Sequence, residues 1–183
     1  MQKINIAIFG GSFDPPHNGH VQIVKKALSS LEIDKFFIIP TFLNPFKKDF
    51  FAPAQLRYKW LKKIFYDYKK VSILDFEIKQ QSAVATIKTV KYLYKNYNIN
   101  TLYLIIGADN LAKLTSWQDY NELKKLVIFI IASRDNIHIP KDLINLQISA
   151  NISSTKLRQT LNKDFLPISV QKEIIKFYKG NNE

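Results

Sequence analysis

The stretch from position 10 to position 20 combines residue types that suit the binding of phosphate groups. Its two glycines follow an apolar run, and without side chains they let the backbone approach a phosphate or a base closely. His17 and His20 lie at the predicted start of a helix, and a helix N-terminus favours anions. We therefore predict an anion site in the segment Gly10, Gly11, Ser12, Phe13, Asp14, Pro15, Pro16, His17, Asn18, Gly19 and His20.

Other interpretations of this segment remain open from its residues alone. It contains neither the G-x-G-x-x-G fingerprint nor a Gly-Lys-Ser/Thr sequence. Its two histidines are poorly placed for a metal pair, because the third histidine, His138, lies in a distant predicted loop and the chain has no cysteine. A plain strand-to-helix turn with surface histidines is the alternative.

A second candidate anion site lies at 152–158. Ser153 or Ser154 is predicted to cap a helix that carries Arg158 on its first turn. Free backbone N–H groups, hydroxyls and one guanidinium would converge there. In isolation, an ordinary helix cap explains the same residues.

Two further regions place polar or aromatic residues after apolar runs. Asp109 follows a run that ends at Gly107, where its carboxylate could bond to a ribose or cap a helix. Trp117 suits either a core position or a platform for a flat ligand. Arg134 follows Ser133 and could stack on a base or remain a solvated loop residue.

Apolar runs rich in β-branched and aromatic residues alternate with segments of helical spacing. The runs predict strands over 4–9, 36–39, 71–76, 102–106, 127–132 and 143–148. The spacing predicts helices over 20–31, 54–68, 84–97, 118–125, 154–161 and 169–179. This alternation predicts an α/β fold with a doubly wound parallel sheet and helices on both faces. Ligands bind such sheets beyond the carboxyl ends of the strands, where the strand order reverses.

Composition limits the class of protein. The 183 residues are 46% hydrophobic, which favours one domain over 1–183 with a core of its own. The formal net charge is +12, but only three of the 27 basic residues are arginine, so we expect small anionic substrates and no nucleic acid partner. The absence of cysteine excludes thiol nucleophiles and disulfides. The first apolar run is too short for a signal peptide or a membrane span, so we expect a cytoplasmic protein without a membrane partner.

The string at 10–20 resembles the signature G-G-[ST]-F-D-P-x-H-x-G-H of the nucleotidyltransferase superfamily, and 152–158 resembles its I-S-[SA]-T-x-[IL]-R motif. The resemblance implies a Rossmann-like fold of the H-x-G-H type. It also implies a catalytic set that neutralises charge during attack at the α-phosphorus of ATP: His17, His20, Lys47 and Arg158. The ATP-binding residues that it implies are Gly10, Gly11, Ser12, Phe13, Gly107, Asp109, Ser133, Arg134, Ile152, Ser153 and Ser154.

The sequence from Gly107 to Asp109, followed by Trp117, is similar to one branch of this superfamily, the bacterial nicotinate-nucleotide adenylyltransferases. The similarity implies transfer of the adenylyl group of ATP to nicotinate mononucleotide, with release of pyrophosphate. It implies that Mg²⁺ arrives with ATP and that the protein holds no metal of its own. The acceptor-binding residues that it implies are Asn44, Ala85, Thr86, Trp117 and Gln118.

This chain departs from the branch at four positions. Phe46 stands where the branch usually has His, Ala85 where it has Tyr, Lys88 where it has Asp, and Gln118 where it has an aromatic residue. The segment at 44–47 instead resembles that of phosphopantetheine adenylyltransferase. Nicotinamide mononucleotide and phosphopantetheine therefore remain alternative acceptors. A non-catalytic module that binds adenine nucleotides, a generic RNA-binding protein and a homodimer also stay open.

Overall fold

A six-stranded parallel sheet forms the centre of the computed structural model, which describes residues 2–46, 48–133, 138–141, 143–150 and 152–180. Its strands are β1 (Ile4–Gly11), β2 (Lys35–Pro40), β3 (Val71–Ile73), β4 (Ile99–Gly107), β5 (Ile128–Ser133) and β6 (Ile144–Gln147). They lie in the order β3-β2-β1-β4-β5-β6, and all neighbours are parallel. The order reverses between β1 and β4, so the predicted doubly wound sheet is confirmed.

Helices connect the strands and cover the sheet. The α-helices are α1 (Asn18–Ser30), α2 (Ala54–Ile64), α3 (Phe76–Lys79), α4 (Thr86–Asn96), α5 (Tyr120–Leu126), α6 (Ser154–Thr160) and α7 (Gln171–Gly180). Two 3₁₀ segments, Ala108–Ser116 and Lys163–Phe165, complete the helical structure of the described residues.

Alternate side chains of β1 pack into two separate cores. Ile6 and Ile8 belong to a cluster with apolar residues of α4 and α5, whereas Ala7 and Phe9 belong to a cluster with residues of α1 and α2. Successive side chains of a strand point to opposite faces, so a strand that is covered on both sides is apolar at nearly every position. The two cores therefore place helices on both faces of the sheet.

Several predicted boundaries differ from the structure. The helix predicted over 54–68, for example, ends at Ile64. The strand predicted over 71–76 ends at Ile73, and Phe76 begins α3, where its ring stacks on Tyr92 of α4 at a centroid distance of 4.1 Å. The helix predicted over 118–125 begins at Tyr120, after a 3₁₀ segment that the pattern did not predict. Short apolar runs do not distinguish a strand from the start of a buried helix, and tertiary contacts decide between them.

One buried guanidinium joins the loops that follow β1 and β2. Arg57 of α2 is 1% exposed, and burial lowers its pKa while the charge of Asp14 opposes that shift. The group stays charged because the ordinary pKa of arginine lies far above neutrality. It donates hydrogen bonds of 2.5 to 2.9 Å to four carbonyl oxygens, those of Ser12, Thr41, Phe42 and Ala52.

We expect Arg57→Leu to lower the free energy of unfolding by about 3–5 kcal/mol, because four loop carbonyls lose a buried charged donor. Urea unfolding monitored by tryptophan fluorescence measures the change. Lys59→Leu, at an exposed position of the same helix, is the control and should change stability by less than about 0.5 kcal/mol. Equal losses in the two variants would contradict the assigned role of Arg57.

Candidate active site

A cleft of about 580 Å³ opens beyond the carboxyl ends of β1 and β4. This is the point at which the strand order reverses, where ligands bind in doubly wound sheets. Most of the predicted site residues line it: Gly10, Gly11, Ser12, Phe13, His17, His20, Asn44, Ala85, Thr86, Gly107, Asp109, Trp117, Gln118, Ile152, Ser153 and Ser154. The fold thus brings distant predicted segments into one cavity.

Two predicted site residues, Ser133 and Arg158, are not part of this lining, and two others are not described. Lys47 and Arg134 lie outside the described residues. Ser133 is 1% exposed and its hydroxyl donates a 2.7 Å hydrogen bond to Asn145, so its side chain is engaged within the sheet. Arg158 lies beside the cleft, where its guanidinium bonds to the loop after β1. The roles of these residues stay predictions.

His17 and His20 form a stacked pair at the start of α1. The backbone N–H of His17 donates to Nδ1 of His20 at 3.1 Å, and the ring centroids are 3.7 Å apart. The ring of Phe13 meets His20 edge-on at 4.9 Å and holds it from the other side. Because Nδ1 of His20 accepts a hydrogen bond, the neutral imidazole carries its proton on Nε2. His20 can therefore act as an N–H donor to a phosphoryl oxygen.

Two glycines permit close packing in the cleft wall. A Cβ at position 19 would lie 3.0 Å from ring atoms of His17 and 3.4 Å from Ile152. A Cβ at position 107 would collide with the carboxylate of Asp109. Gly19 and Gly107 therefore let these side chains lie directly against the backbone, which a larger residue would prevent.

The two anion motifs contact each other across the fold. Ser153 caps α6 by accepting the backbone N–H of Lys156 at 3.2 Å. The hydroxyl of Ser154 donates to the carbonyl of Pro15 at 2.9 Å, although the two residues are 139 positions apart. The segment before α6 is thus attached to the loop that leads into α1, and both line the same cleft.

The other end of the cleft lies at the start of α4. Ala85 precedes this helix and Thr86 is its first residue. Trp117 lines the same cavity and packs against the core on the α4 side of the sheet. The first N–H groups of a helix have no intrahelical partner and favour anions. The arrangement suits a flat ring that carries a negative group.

Glu77 lines this end of the cleft and was not identified from the sequence. It is 6% exposed, and the hydroxyl of Thr89 donates to its carboxylate at 2.7 Å. Burial raises the pKa of Glu77 to about 7, while the bond from Thr89 acts in the opposite direction. The sequence signal was faint, consisting of one acidic residue between the apolar Phe76 and Ile78.

No group of three or more His, Cys, Asp or Glu side chains within the described part of the chain could hold a metal ion. A divalent cation that arrives on the phosphates of ATP needs no such cage, because Mg²⁺ is commonly held by substrate phosphates, water and one or two protein groups. None of the helices in the described ranges is long and apolar enough to cross a membrane.

The chain is similar to known proteins both in sequence and in fold. Residues 8–160 match the cytidylyltransferase-like family. The solved structure of the Plasmodium falciparum nicotinic acid mononucleotide adenylyltransferase complexed with NaAD matches with a TM-score of 0.77 and 26% identity, and the match covers 100% of both chains.

Close relatives narrow this class. A protein of Sulfurimonas denitrificans named probable nicotinate-nucleotide adenylyltransferase is 51% identical over 174 residues, which cover 95% of this chain and 94% of the relative. A protein of Campylobacter fetus with the same name is 51% identical over 179 residues, which cover 98% of this chain and 99% of the relative. The chain belongs to the nicotinate-nucleotide adenylyltransferase family, which confirms the resemblance found in the sequence.

We expect Glu77 to make the stability of the protein depend on pH. The folded chain retains this proton up to about pH 7, whereas the carboxyl releases it near its ordinary value of 4.5 when unfolded. The stabilisation is therefore complete below pH 4.5 and is lost as the pH rises to about 7, by about 3 kcal/mol in total. Urea unfolding measures the free energy of unfolding at pH 4.5 and at pH 8. Between these two pH values, we expect the stability of Glu77→Gln relative to the wild type to rise by this amount.

Glu32→Gln, at an exposed position, is the matched control and should follow the wild type at both pH values. A parallel pH dependence in Glu77→Gln and the wild type would contradict the assignment to Glu77.

Proposed function

We propose that this protein transfers the adenylyl group of ATP to nicotinate mononucleotide, forming nicotinate adenine dinucleotide and pyrophosphate. The observation that carries the proposal is that both anion motifs and the predicted acceptor-binding residues line a single cleft at the reversal of strand order. The family membership supports it, since relatives that share half of their residues with this chain carry the name of that activity.

The reaction is a direct displacement at phosphorus. An oxygen of the mononucleotide phosphate attacks the α-phosphorus of ATP, and the bond from that phosphorus to the pyrophosphate oxygen breaks. The attacking phosphate is ionised near neutral pH, so no general base is required. The barrier lies in bringing two polyanions together in line, which makes positioning and charge stabilisation the main tasks of the protein.

The donors for this charge come from the two anion motifs and from Lys47. His20 donates from Nε2 to the reacting phosphoryl group, and the stacked His17 keeps its ring in place. Lys47 and Arg158 stabilise the leaving pyrophosphate, and Mg²⁺ arrives on ATP. The remaining contacts to ATP come from Gly10, Gly11, Ser12, Phe13, Gly107, Asp109, Ser133, Arg134, Ile152, Ser153 and Ser154.

The acceptor occupies the end of the cleft near α4. Trp117 packs against the pyridine ring, and backbone N–H groups at Thr86 and Gln118 bind its carboxylate. Asn44 and Ala85 complete the pocket. Because backbone N–H groups bind the carboxylate, its binding does not depend on the side chains in which this chain differs from the other bacterial nicotinate-nucleotide adenylyltransferases. We also propose that 1–183 acts as one catalytic domain in the cytoplasm, where ATP is available.

Pyrophosphate release from Mg·ATP tests the function directly. We expect turnover with nicotinate mononucleotide to exceed turnover with nicotinamide mononucleotide by at least about tenfold, because the neutral amide cannot replace a carboxylate that is bound by N–H donors. The two acceptors serve as controls for each other, since both carry the phosphate. Release with neither acceptor would refute the proposal, and phosphopantetheine would then be assayed.

We expect His20→Ala to lower kcat by at least about 10²-fold, which is the usual loss when one donor to a developing negative charge is removed. The circular dichroism spectrum should stay unchanged. His138→Ala is the control, since His138 is exposed and does not line the cleft. A His20→Ala enzyme that works at the full rate would exclude the proposed mechanism.

A further inference from the structure

The side chain of Asp14, within the segment 10–20, connects three parts of the chain. Its side chain is buried and accepts the backbone N–H groups of Phe51 at 2.9 Å and Ala52 at 3.0 Å. The hydroxyl of Tyr178, on α7, donates to the same carboxylate. The loop after β1, the segment before α2 and the C-terminal helix therefore meet at one side chain.

Arg158 is held at the same place. One terminal nitrogen of its guanidinium donates to the backbone carbonyl of Asp14, and the other donates to the hydroxyl of Thr155 at 3.2 Å. The guanidinium carbon lies 4.3 Å from the ring centroid of Phe51. These contacts fix the plane of the guanidinium while engaging only part of its capacity of five N–H donors.

Phe51 is a large apolar residue that is 63% exposed. Its ring gains little from burial, but it stacks on Arg158, and its backbone is fixed by the carboxylate of Asp14. An aromatic face attracts a guanidinium electrostatically, and this attraction survives at exposed sites. The contact therefore explains an aromatic residue at a position where burial does not.

Tyr178 holds the other side of Asp14. It is 3% exposed, and burial together with the negative charge of Asp14 raises its pKa, so the hydroxyl stays protonated and remains a donor. The residue lies outside the range 8–160 that matches the cytidylyltransferase-like family. This support for the site is consequently contributed by the C-terminal helix rather than by the matched region.

We propose that Phe51, by direct stacking, and Tyr178, through Asp14, are positioning residues that orient Arg158 for the phosphates of ATP. An arginine side chain loses rotamer entropy when it is immobilised, and a side chain oriented in advance loses less of it on binding. The inference rests on the proposed function, in which Arg158 contacts the leaving pyrophosphate. It assigns roles to two residues that touch no substrate themselves.

A double-mutant cycle tests the proposal. Phe51→Leu and Tyr178→Phe are each made in the wild type and in Arg158→Ala, and steady-state kinetics give kcat and the KM for Mg·ATP. In the wild type, we expect each change to raise the KM for Mg·ATP about 3- to 10-fold with little change in kcat. In Arg158→Ala, we expect each change to alter this KM less than about 2-fold, because the residue on which they act is gone.

Two further variants separate positioning from general packing. Phe51→Tyr keeps the aromatic face and should restore the KM of the wild type, whereas Tyr66→Leu removes an aromatic residue that is 87% exposed elsewhere and should have no effect. Equal effects in the wild-type and Arg158→Ala backgrounds, or a failure of Phe51→Tyr to restore KM, would overturn the proposal.

Calorimetric binding of Mg·ATP without an acceptor provides a second readout for the same variants. Turnover of the wild type with nicotinate mononucleotide reports on the proposed function, while the coupling of ATP affinity to Arg158 reports on the positioning. An enzyme that turns over but shows additive losses refutes only the positioning. A protein that binds ATP with the expected coupling but does not turn over refutes only the proposed function.

Discussion

The shape of the cleft depends on the loops that follow β1 and β2, which the hydrogen bonds of the sheet do not support. Past the ends of β1 and β2 the strand hydrogen bonds stop, yet the backbone carbonyls there remain partly buried and need donors. Arg57 supplies these donors from a single rigid group, and its helix is anchored by the buried Trp60 and Leu61. The packing of α2 therefore contributes to the geometry of both loops, because it fixes the position of Arg57.

This rigidity matters because the protein forms no covalent bond to a substrate in the proposed displacement reaction. Two negatively charged nucleotides must approach in line, and fixed donors that need no reorganisation stabilise the charge that develops. The stacked histidines, the glycines that let side chains lie against the backbone and the segment before α6 all limit movement in this region. A basic surface, reflected in the net charge of +12, also attracts such substrates over a longer range.

The sequence predicted the parts of the molecule that local pattern determines. Strands covered on both faces are apolar throughout, so β1, β4 and β5 were predicted to within a few residues, and the contiguous motifs indicated the nucleotide site. Arg57, Glu77 and Tyr178 were not identified as functional. Their environments arise from partners that are distant in the chain, such as Ser12 for Arg57, 45 positions away. The 3₁₀ segment Ala108–Ser116 was missed because its apolar residues follow no long helical period.

The two ends of the described chain lie at different distances from the cleft. β1 spans eight residues, or about 25 Å, and its amino end lies at the end of the strands away from the cleft. The last described helix, in contrast, places Tyr178 against Asp14 in the loop after β1. A fluorescent label or an affinity handle joined before β1 would thus lie far from the cleft, whereas one joined after α7 would lie close to Asp14 and Arg158 beside it. Attachment at the amino end is the choice that leaves the kinetics of this enzyme undisturbed.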